Sequence, residues 1–363
     1  MASFAFMIHP MDVNDVARKF KFVSILPPVL TERFLAALPP VKVSRITGVR
    51  SPYGEADGWF VACPLTAGMM QKLPADFVLR KIIQSGRLAE KLGAGILGLG
   101  AFTKVVGDAG LTVSRHLKIP VTTGNSYTVA TAVEATEEAA AKMGHDLKKA
   151  SVVILGATGS IGRVCALILA PKVRRMTLVA RNEHRLEELA AKILYDTGLA
   201  VNITRDTKGA LRNGDVVITV TSSVDTVVEP EDLKPGAVVC DVARPRDVSV
   251  RVSEVRDDVL VIEGGVVEVP GDVDFHFNFG FPPRTAYACM AEVMILALEG
   301  RYESYTLGRE LTISQVEEIT GLAQKHGFKL AGFRSFGRAL SDEEIEKIKQ
   351  RALAKTAPRV RTS

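Results

Sequence analysis

Residues 151–185, SVVILGATGSIGRVCALILAPKVRRMTLVARNEHR, constrain this chain more than any other stretch. An apolar run (152–155) stops at Gly156, and a glycine-spaced turn, a helical apolar pattern, a second apolar run and Arg181-Asn182 follow. That order predicts strand, phosphate-binding turn, helix and strand, the opening βαβ unit of a dinucleotide-binding fold. Gly156, Gly159 and Gly162 form G-x-x-G-x-x-G, a variant of the usual G-x-G-x-x-G. The tight turn, the close approach of backbone to a pyrophosphate, and helix-on-strand packing all call for residues without Cβ. The expected cofactor set here is Gly156, Thr158, Gly159, Ser160, Ile161 and Gly162, with Ser160 placed to cap the helix whose free N–H groups face phosphate. A tight turn without a ligand is the plainer alternative, but the strand before and the helix after favour a cofactor.

The end of the second strand selects between cofactors. An NAD-type site wants a carboxylate about 20 residues past the first glycine, where it bonds the ribose 2′-hydroxyl. This chain has Ala180-Arg181-Asn182 there, with Arg185 one turn later and no carboxylate before Glu183. Guanidinium groups suit a 2′-phosphate, so the pattern predicts NADP(H).

At 363 residues, 47% hydrophobic and 24% charged, the chain has room for two or three domains with a sizeable core. The net charge of +5 is mild, and no basic tract is dense enough for nucleic acid. The start, MASFAFMIHPMDV, lacks a basic n-region, and no apolar run approaches 18 residues; the expectation is a cytoplasmic protein that is not transmembrane. Cys63, Cys165, Cys240 and Cys289 show no paired or metal-type spacing, so no metal is expected.

In chain order, residues 1–145 mix short strands (41–46, 59–63) with helical patterns (67–71, 75–92) and read as a substrate-side domain. The run 93–103, GAGILGLGAFT, predicts a buried strand and turn whose glycines either allow close approach of a ligand or, the favoured reading, serve tight packing. Asn125 and Ser126 precede a helix at 129–143, where they either bind a carbonyl or carboxylate or simply cap the helix. Residues 146–270 read as the nucleotide domain, a parallel doubly wound sheet of about six strands. Its later strands (201–204, 216–220, 237–242, 259–263) place Thr221, Ser222, Gly264 and Gly265 at carboxyl ends, beside the cofactor. Residues 271–353 read as helices at 284–298, 313–325 and 342–353, the last with a Ser341/Glu344 capping box. His326 is expected to serve the end of its helix, and residues 354–363 are expected to be a disordered tail. The fold class is thus α/β, a Rossmann-type sheet with an N-terminal α/β substrate domain and a C-terminal helical segment.

The cysteines sort by position. Cys165 lies on the core face of the glycine-turn helix, Cys240 ends an apolar strand, and Cys63 is ambiguous before Pro64. Cys289 lies off the apolar stripe Tyr287, Met290/Ala291, Met294, Ile295, Leu298, about 200° from Tyr287 at helical spacing. With a helix starting after Pro282-Pro283, Cys289 sits within two turns of the start, where the dipole barely reaches it. Its residues alone leave Cys289 open between a packed and a nucleophilic thiol, with Arg284 a candidate helper.

A longer resemblance bears on that choice. The runs TTGNSYTVATAVEATEEAAAKMG, GATGSIG with VARNEHRLEEL, IEGGVVEV, and RTAYACMAEVMILALEGRYESYTLGRELTISQVEEITGLAQKHGF together resemble the long-chain acyl-acyl-carrier-protein reductases, fatty aldehyde-forming enzymes best known from cyanobacteria. The resemblance covers most of residues 121–328 and, more loosely, the N-terminal domain. It implies that Cys289 accepts the acyl group and that the glycine turn and the following arginine contact NADPH. It also implies an acyl carrier protein or CoA thioester as substrate, and an aldehyde-consuming enzyme as a candidate partner. Oxyanion donors would come from backbone N–H groups or Asn125 and Ser126, and His276 is a weak candidate for the general acid. Two other readings stand beside this one: a shikimate/quinate-type NADP-dependent alcohol dehydrogenase, which would need no cysteine, and a non-catalytic NADP-binding partner protein.

Overall fold

A computed structural model describes residues 2–11, 27–223 and 225–356. These form two compact units, residues 1–127 with 267–329 and residues 128–266 with 330–363. The boundaries expected at 145 and 270 therefore fall at 127 and 266. The C-terminal helices do not stand apart: two join the first unit and the last joins the second.

The first unit is built on a five-stranded sheet of β1 (Ala2–Ile8), β2 (Val41–Ser51), β3 (Gly54–Ala62), β4 (Leu97–Leu99) and β5 (Val121–Thr122), in the order β2-β3-β1-β4-β5. β2 and β3 form an antiparallel hairpin; β3-β1, β1-β4 and β4-β5 pair parallel. Side chains alternate across β1 with the period of two a strand dictates. Ala5 and Met7 enter a core with Leu35, Met69, Met70, Val78 and Ile82 from the helices Pro28–Ala37, Ala67–Lys72 and Ala75–Lys91. Across the other face lies the helix Ala288–Leu298, which packs on β1, β3 and β4 and against the helix Ile313–His326. Gly98 permits that approach: a Cβ there would lie 2.7 Å from the Phe6 ring and 3.2 Å from Val293 Cβ. Gly95, Gly98 and Gly100 serve packing, as expected, whereas Gly93 has open space around it and takes a left-handed φ of 82°.

Two expectations about the helix Ala288–Leu298 need correction. It begins at Ala288, four residues later than expected, because Arg284 takes a left-handed φ of 63° and residues Thr285–Tyr287 form a strand instead. It also has no single apolar stripe: every residue except Cys289 is buried, as a helix enclosed on all sides requires. His326 is likewise no simple cap. It is buried, with Nδ1 paired to Ser51 Oγ and Nε2 to Glu299, each at 2.8 Å.

The second unit holds β6 (Ser151–Leu155), β7 (Arg175–Val179), β8 (Asn202–Thr204), β9 (Val216–Thr219), β10 (Val238–Asp241) and β11 (Leu260–Glu263). All six pair parallel in the order β11-β10-β9-β6-β7-β8. The first three strands run outward on one side of β6 and the next three on the other, the doubly wound arrangement the alternating pattern predicted. The helix Asp342–Thr356 starts with the expected Ser341/Glu344 capping box. It runs three residues further than expected, so residues 354–356 are helical; the rest of the expected tail, 357–363, lies outside the described residues.

Candidate functional site

The parallel register of the second unit aligns Leu155 with Val179 and Thr219, and Asp241 with Thr219 and Glu263. The segments that follow these residues therefore lie along one edge, the carboxyl end of the sheet, where such folds bind ligands. There the chain places Gly156–Gly162, Arg181 to Arg185, Thr221-Ser222 and Gly264-Gly265.

Gly156 has a φ of 85°, and a Cβ there would lie 2.6 Å from the Val220 carbonyl oxygen. At Gly162 a Cβ would sit 2.4 Å from the Gly156 oxygen, so this glycine lets the helix Ser160–Leu169 close on the turn. Gly159 is exposed and stands as the N-cap, without a side-chain cap. Ser160 is thus the first helical residue and not the expected cap. The change matters, because an uncapped helix start leaves its N–H groups to an anion. Thr158, Ser160 and Ile161 are half-buried around it. Arg181, Asn182 and Arg185 are exposed, and the Asn182 side chain caps the next helix by accepting from Arg185 N at 3.0 Å.

Thr221 is committed to the protein: its backbone N–H and hydroxyl both donate to Asp247, as does Thr219. Asp241 in turn accepts from the backbone N–H groups of Ala243, Asp247 and Val248. Burial pushes Asp241 up to about 6, against the pull of Arg244 and with a push from Asp247. Ser222 is exposed. Gly264 is a packing residue, since a Cβ there would lie 2.7 Å from Val242 and 2.9 Å from Cys240 Sγ; Gly265 takes a φ of 79°.

The second cluster lies wholly in the first unit. Cys63, Cys165 and Cys240 are buried, and burial pushes all three thiols up, Cys63 and Cys240 to about 12. Cys289 alone is partly exposed. The late helix start makes it the second helical residue, inside the first turn where the dipole acts, after Tyr287, which provides no side-chain cap. Gly124 presses against it: a Cβ at Gly124 would lie 2.4 Å from both Cα and Cβ of Cys289.

Glu292, one turn on, organises the surroundings. A lone carboxylate in an otherwise apolar helix, it is fully buried. Its Oε1 accepts from Gly124 N at 3.1 Å, Thr306 Oγ1 at 3.0 Å and the Thr122 hydroxyl. Its Oε2 accepts from Ser126 Oγ at 2.6 Å and Tyr127 N at 2.9 Å. Ser126 therefore serves Glu292, while Asn125 Oδ1 accepts from Lys104 Nζ at 2.7 Å. The helix they open starts at Asn125, four residues before the expected position. Thr306 holds a φ of 53°, a strained conformation for a β-branched residue, and its carbonyl accepts from Thr123 Oγ1.

Arg284 and His276 are elsewhere occupied. Arg284 pairs with Glu268, and exposed His276 pairs with Asp274 and meets the Arg45 carbonyl. Sequence reasoning missed Lys104, Glu292 and Thr306. The one available signal was a lone carboxylate in an apolar helix, which must find donors. Among the described residues no cluster could hold a metal, and no helix is long and apolar enough to cross a membrane.

Sheet, glycine turn and uncapped helix start define the class: an oxidoreductase-type fold for a nicotinamide nucleotide. The shikimate/quinate 5-dehydrogenase family model matches residues 137–263, the nucleotide-binding part. The long-chain acyl-[acyl-carrier-protein] reductase of Synechococcus elongatus is 30% identical over 311 residues, 82% of this chain and 89% of that protein, and the chain belongs to that family. Aminotransferase PigE of a Serratia strain is 29% identical over 96% of this chain, which spans only 42% of that longer protein. Among solved structures, the NAD-dependent malic enzyme of Thermotoga maritima matches 97% of this chain and 84% of its own at 15% identity and a TM-score of 0.43.

Proposed function

We propose that the chain reduces a fatty acyl thioester, carried by acyl carrier protein or CoA, to the fatty aldehyde through an acyl-enzyme on Cys289. The observation that supports this most directly is the placement of Cys289: the one partly exposed thiol, in the first turn of a helix, against a turn held by Glu292. Family membership supports the substrate class, and the name of the Synechococcus relative favours the acyl carrier protein.

The Cys289 thiolate attacks the thioester carbonyl, and the carrier leaves as its thiol. Backbone N–H groups at the uncapped start of the Cys289 helix are the proposed donors for the oxyanion. Asn125, which accepts from Lys104, is kept as a candidate substrate contact, whereas Ser126 acts indirectly through Glu292. NADPH, when bound, supplies the hydride. Cys289 then departs as thiolate when the hemithioacetal collapses to aldehyde. The glycine turn and the N-terminus of the Ser160 helix are the proposed pyrophosphate cradle, with Gly264-Gly265 and Ser222 bordering the same edge. Arg181 and Arg185 are the proposed partners of the 2′-phosphate. Thr221 acts by fixing the strand end through Asp247. The aldehyde is reactive, so an aldehyde-consuming enzyme is the fitting partner.

Incubation with acyl-carrier thioester in the absence of NADPH tests the reading. The expected result is an acyl mass on the Cys289 peptide, absent in Cys289→Ala, with aldehyde formation reduced at least about a thousandfold in that variant. A variant that still reduces the thioester at the parent rate would end the proposal. A shikimate-type dehydrogenase would oxidise an alcohol with no acylated peptide at all.

A further inference from the structure

We propose that Lys104 is a positioning residue that holds Cys289 in its thiolate form. This rests on the reading of Cys289 as nucleophile only for its catalytic meaning; the geometry stands without it.

Lys104 ends the short turn Ala101–Lys104 that follows β4. Its Nζ donates to Asn125 Oδ1 at 2.7 Å and to the Thr123 carbonyl at 3.2 Å. Those two residues flank Gly124, the residue whose missing side chain leaves room for Cys289. The ammonium is thus tied to both sides of the segment that touches the thiol. Two of its three N–H donors go to those oxygens, and we assign the third to the sulfur.

The charges around it agree with this role. Lys104 interacts electrostatically with Cys289 and with the Glu292 carboxylate. Burial pulls its pKa below the ordinary lysine range, and those two groups pull it back up. Such coupling is reciprocal: whatever energy the thiolate lends the ammonium, the ammonium lends the thiolate. Glu292 acts in the opposite sense, since a carboxylate one turn from Cys289 disfavours a second negative charge. Its two oxygens, however, already accept from five donors on Thr122, Gly124, Ser126, Tyr127 and Thr306, which disperse that charge. The helix N-terminus adds to the ammonium's effect. A neutral side chain at 104 would leave Cys289 beside Glu292 without the ammonium, though still within reach of the helix dipole.

The test is the pH dependence of alkylation by iodoacetamide in the full chain, without substrate or nucleotide, with Cys289 followed by peptide mass. In the parent, Cys289 is expected to react with an apparent pKa below the ordinary thiol value of about 8.5. Lys104→Met should raise that value by a unit or more, seen as a rate about tenfold lower at pH 7. Lys104→Arg should restore most of it. Lys104→Gln, which keeps a donor toward Asn125 without the charge, should behave like Lys104→Met and serves if the Met variant does not fold. Identical pH profiles for the parent and either neutral variant would overturn the inference. A shifted profile in a chain that never becomes acylated would break the proposed function and leave this inference standing; acylation with an unchanged profile would do the reverse.

Discussion

The carboxyl edge of the parallel sheet and the Cys289 cluster both gather polar groups, but by opposite means. At the sheet edge, register does the work: strands ending at Leu155, Val179, Thr219, Asp241 and Glu263 deliver their following turns in line. Each turn is specified by residues within a short span, such as Gly156 to Gly162. Around Cys289 no repeat of backbone geometry brings the groups together. One buried carboxylate, Glu292, collects donors from Thr122, Gly124, Ser126 and Tyr127, more than 160 residues earlier in the chain, and from Thr306 beyond it. The first design tolerates the loss of a single side chain, because backbone pairing persists. The second depends on one residue.

Glu292→Ala tests that contrast with the largest expected effect. Five buried donors would lose their acceptor, at a cost of about 3–5 kcal/mol. Hydrogen exchange should show lost protection in β5 and the Cys289 helix, with β6 to β11 unchanged. Equal loss in both units would show that the two are not independently braced.

A smaller effect is expected at the sheet edge, from Asp241. Its folded pKa of about 6 lies above the unfolded value near 3.9, so the folded state binds this proton more tightly. Its contribution to stability is then complete below about pH 4 and is lost as pH rises through about 6, a change on the order of 3 kcal/mol. The stability difference between the parent and Asp241→Asn, measured by denaturant unfolding, should fall across that window. A flat difference would show that burial does not raise the proton affinity of Asp241 in the folded state.

The smallest effect is expected at Arg181. Arg181→Asp should weaken NADPH by roughly tenfold to a hundredfold, the worth of a charge-assisted hydrogen bond, and NADH far less. Equal weakening of both nucleotides would remove Arg181 from the choice of cofactor and leave the glycine turn untouched.

The contrast also accounts for what the sequence discloses. The strand–turn–helix–strand order at 151–185 is local, so composition and spacing reveal it, and the strands expected at 152–155, 201–204, 216–220, 237–242 and 259–263 lie within about one residue of those observed. The Cys289 helix was misplaced because a proline pair is a strong local start signal, while the left-handed Arg284 and the strand Thr285–Tyr287 that displaced it answer to tertiary pairing. Lys104 has no local motif at all. Its role exists only once β4, β5 and a helix nearly two hundred residues later share one unit. Ser160 and Ser126 show the remaining limit: a hydroxyl near a helix start looks like a cap from sequence, yet Gly159 occupies one such position and a distant carboxylate claims the other hydroxyl.

The division of the chain into units has a consequence for its synthesis. The chain leaves the first unit after Tyr127 and returns to it at Val267. Domains generally fold as they emerge, N-terminal parts first. All six strands of the parallel sheet have been made by Glu263, and so have Lys104 and the Thr122–Tyr127 turn, before Cys289 is added. On the ribosome, the thiol therefore arrives well after the Lys104 ammonium and the Thr122–Tyr127 segment that surround it. It enters a setting whose cation and whose Thr122, Thr123 and Ser126 hydroxyls are already made, brings its own carboxylate brace three residues behind it, and is followed by the Thr306 hydroxyl that completes the cluster.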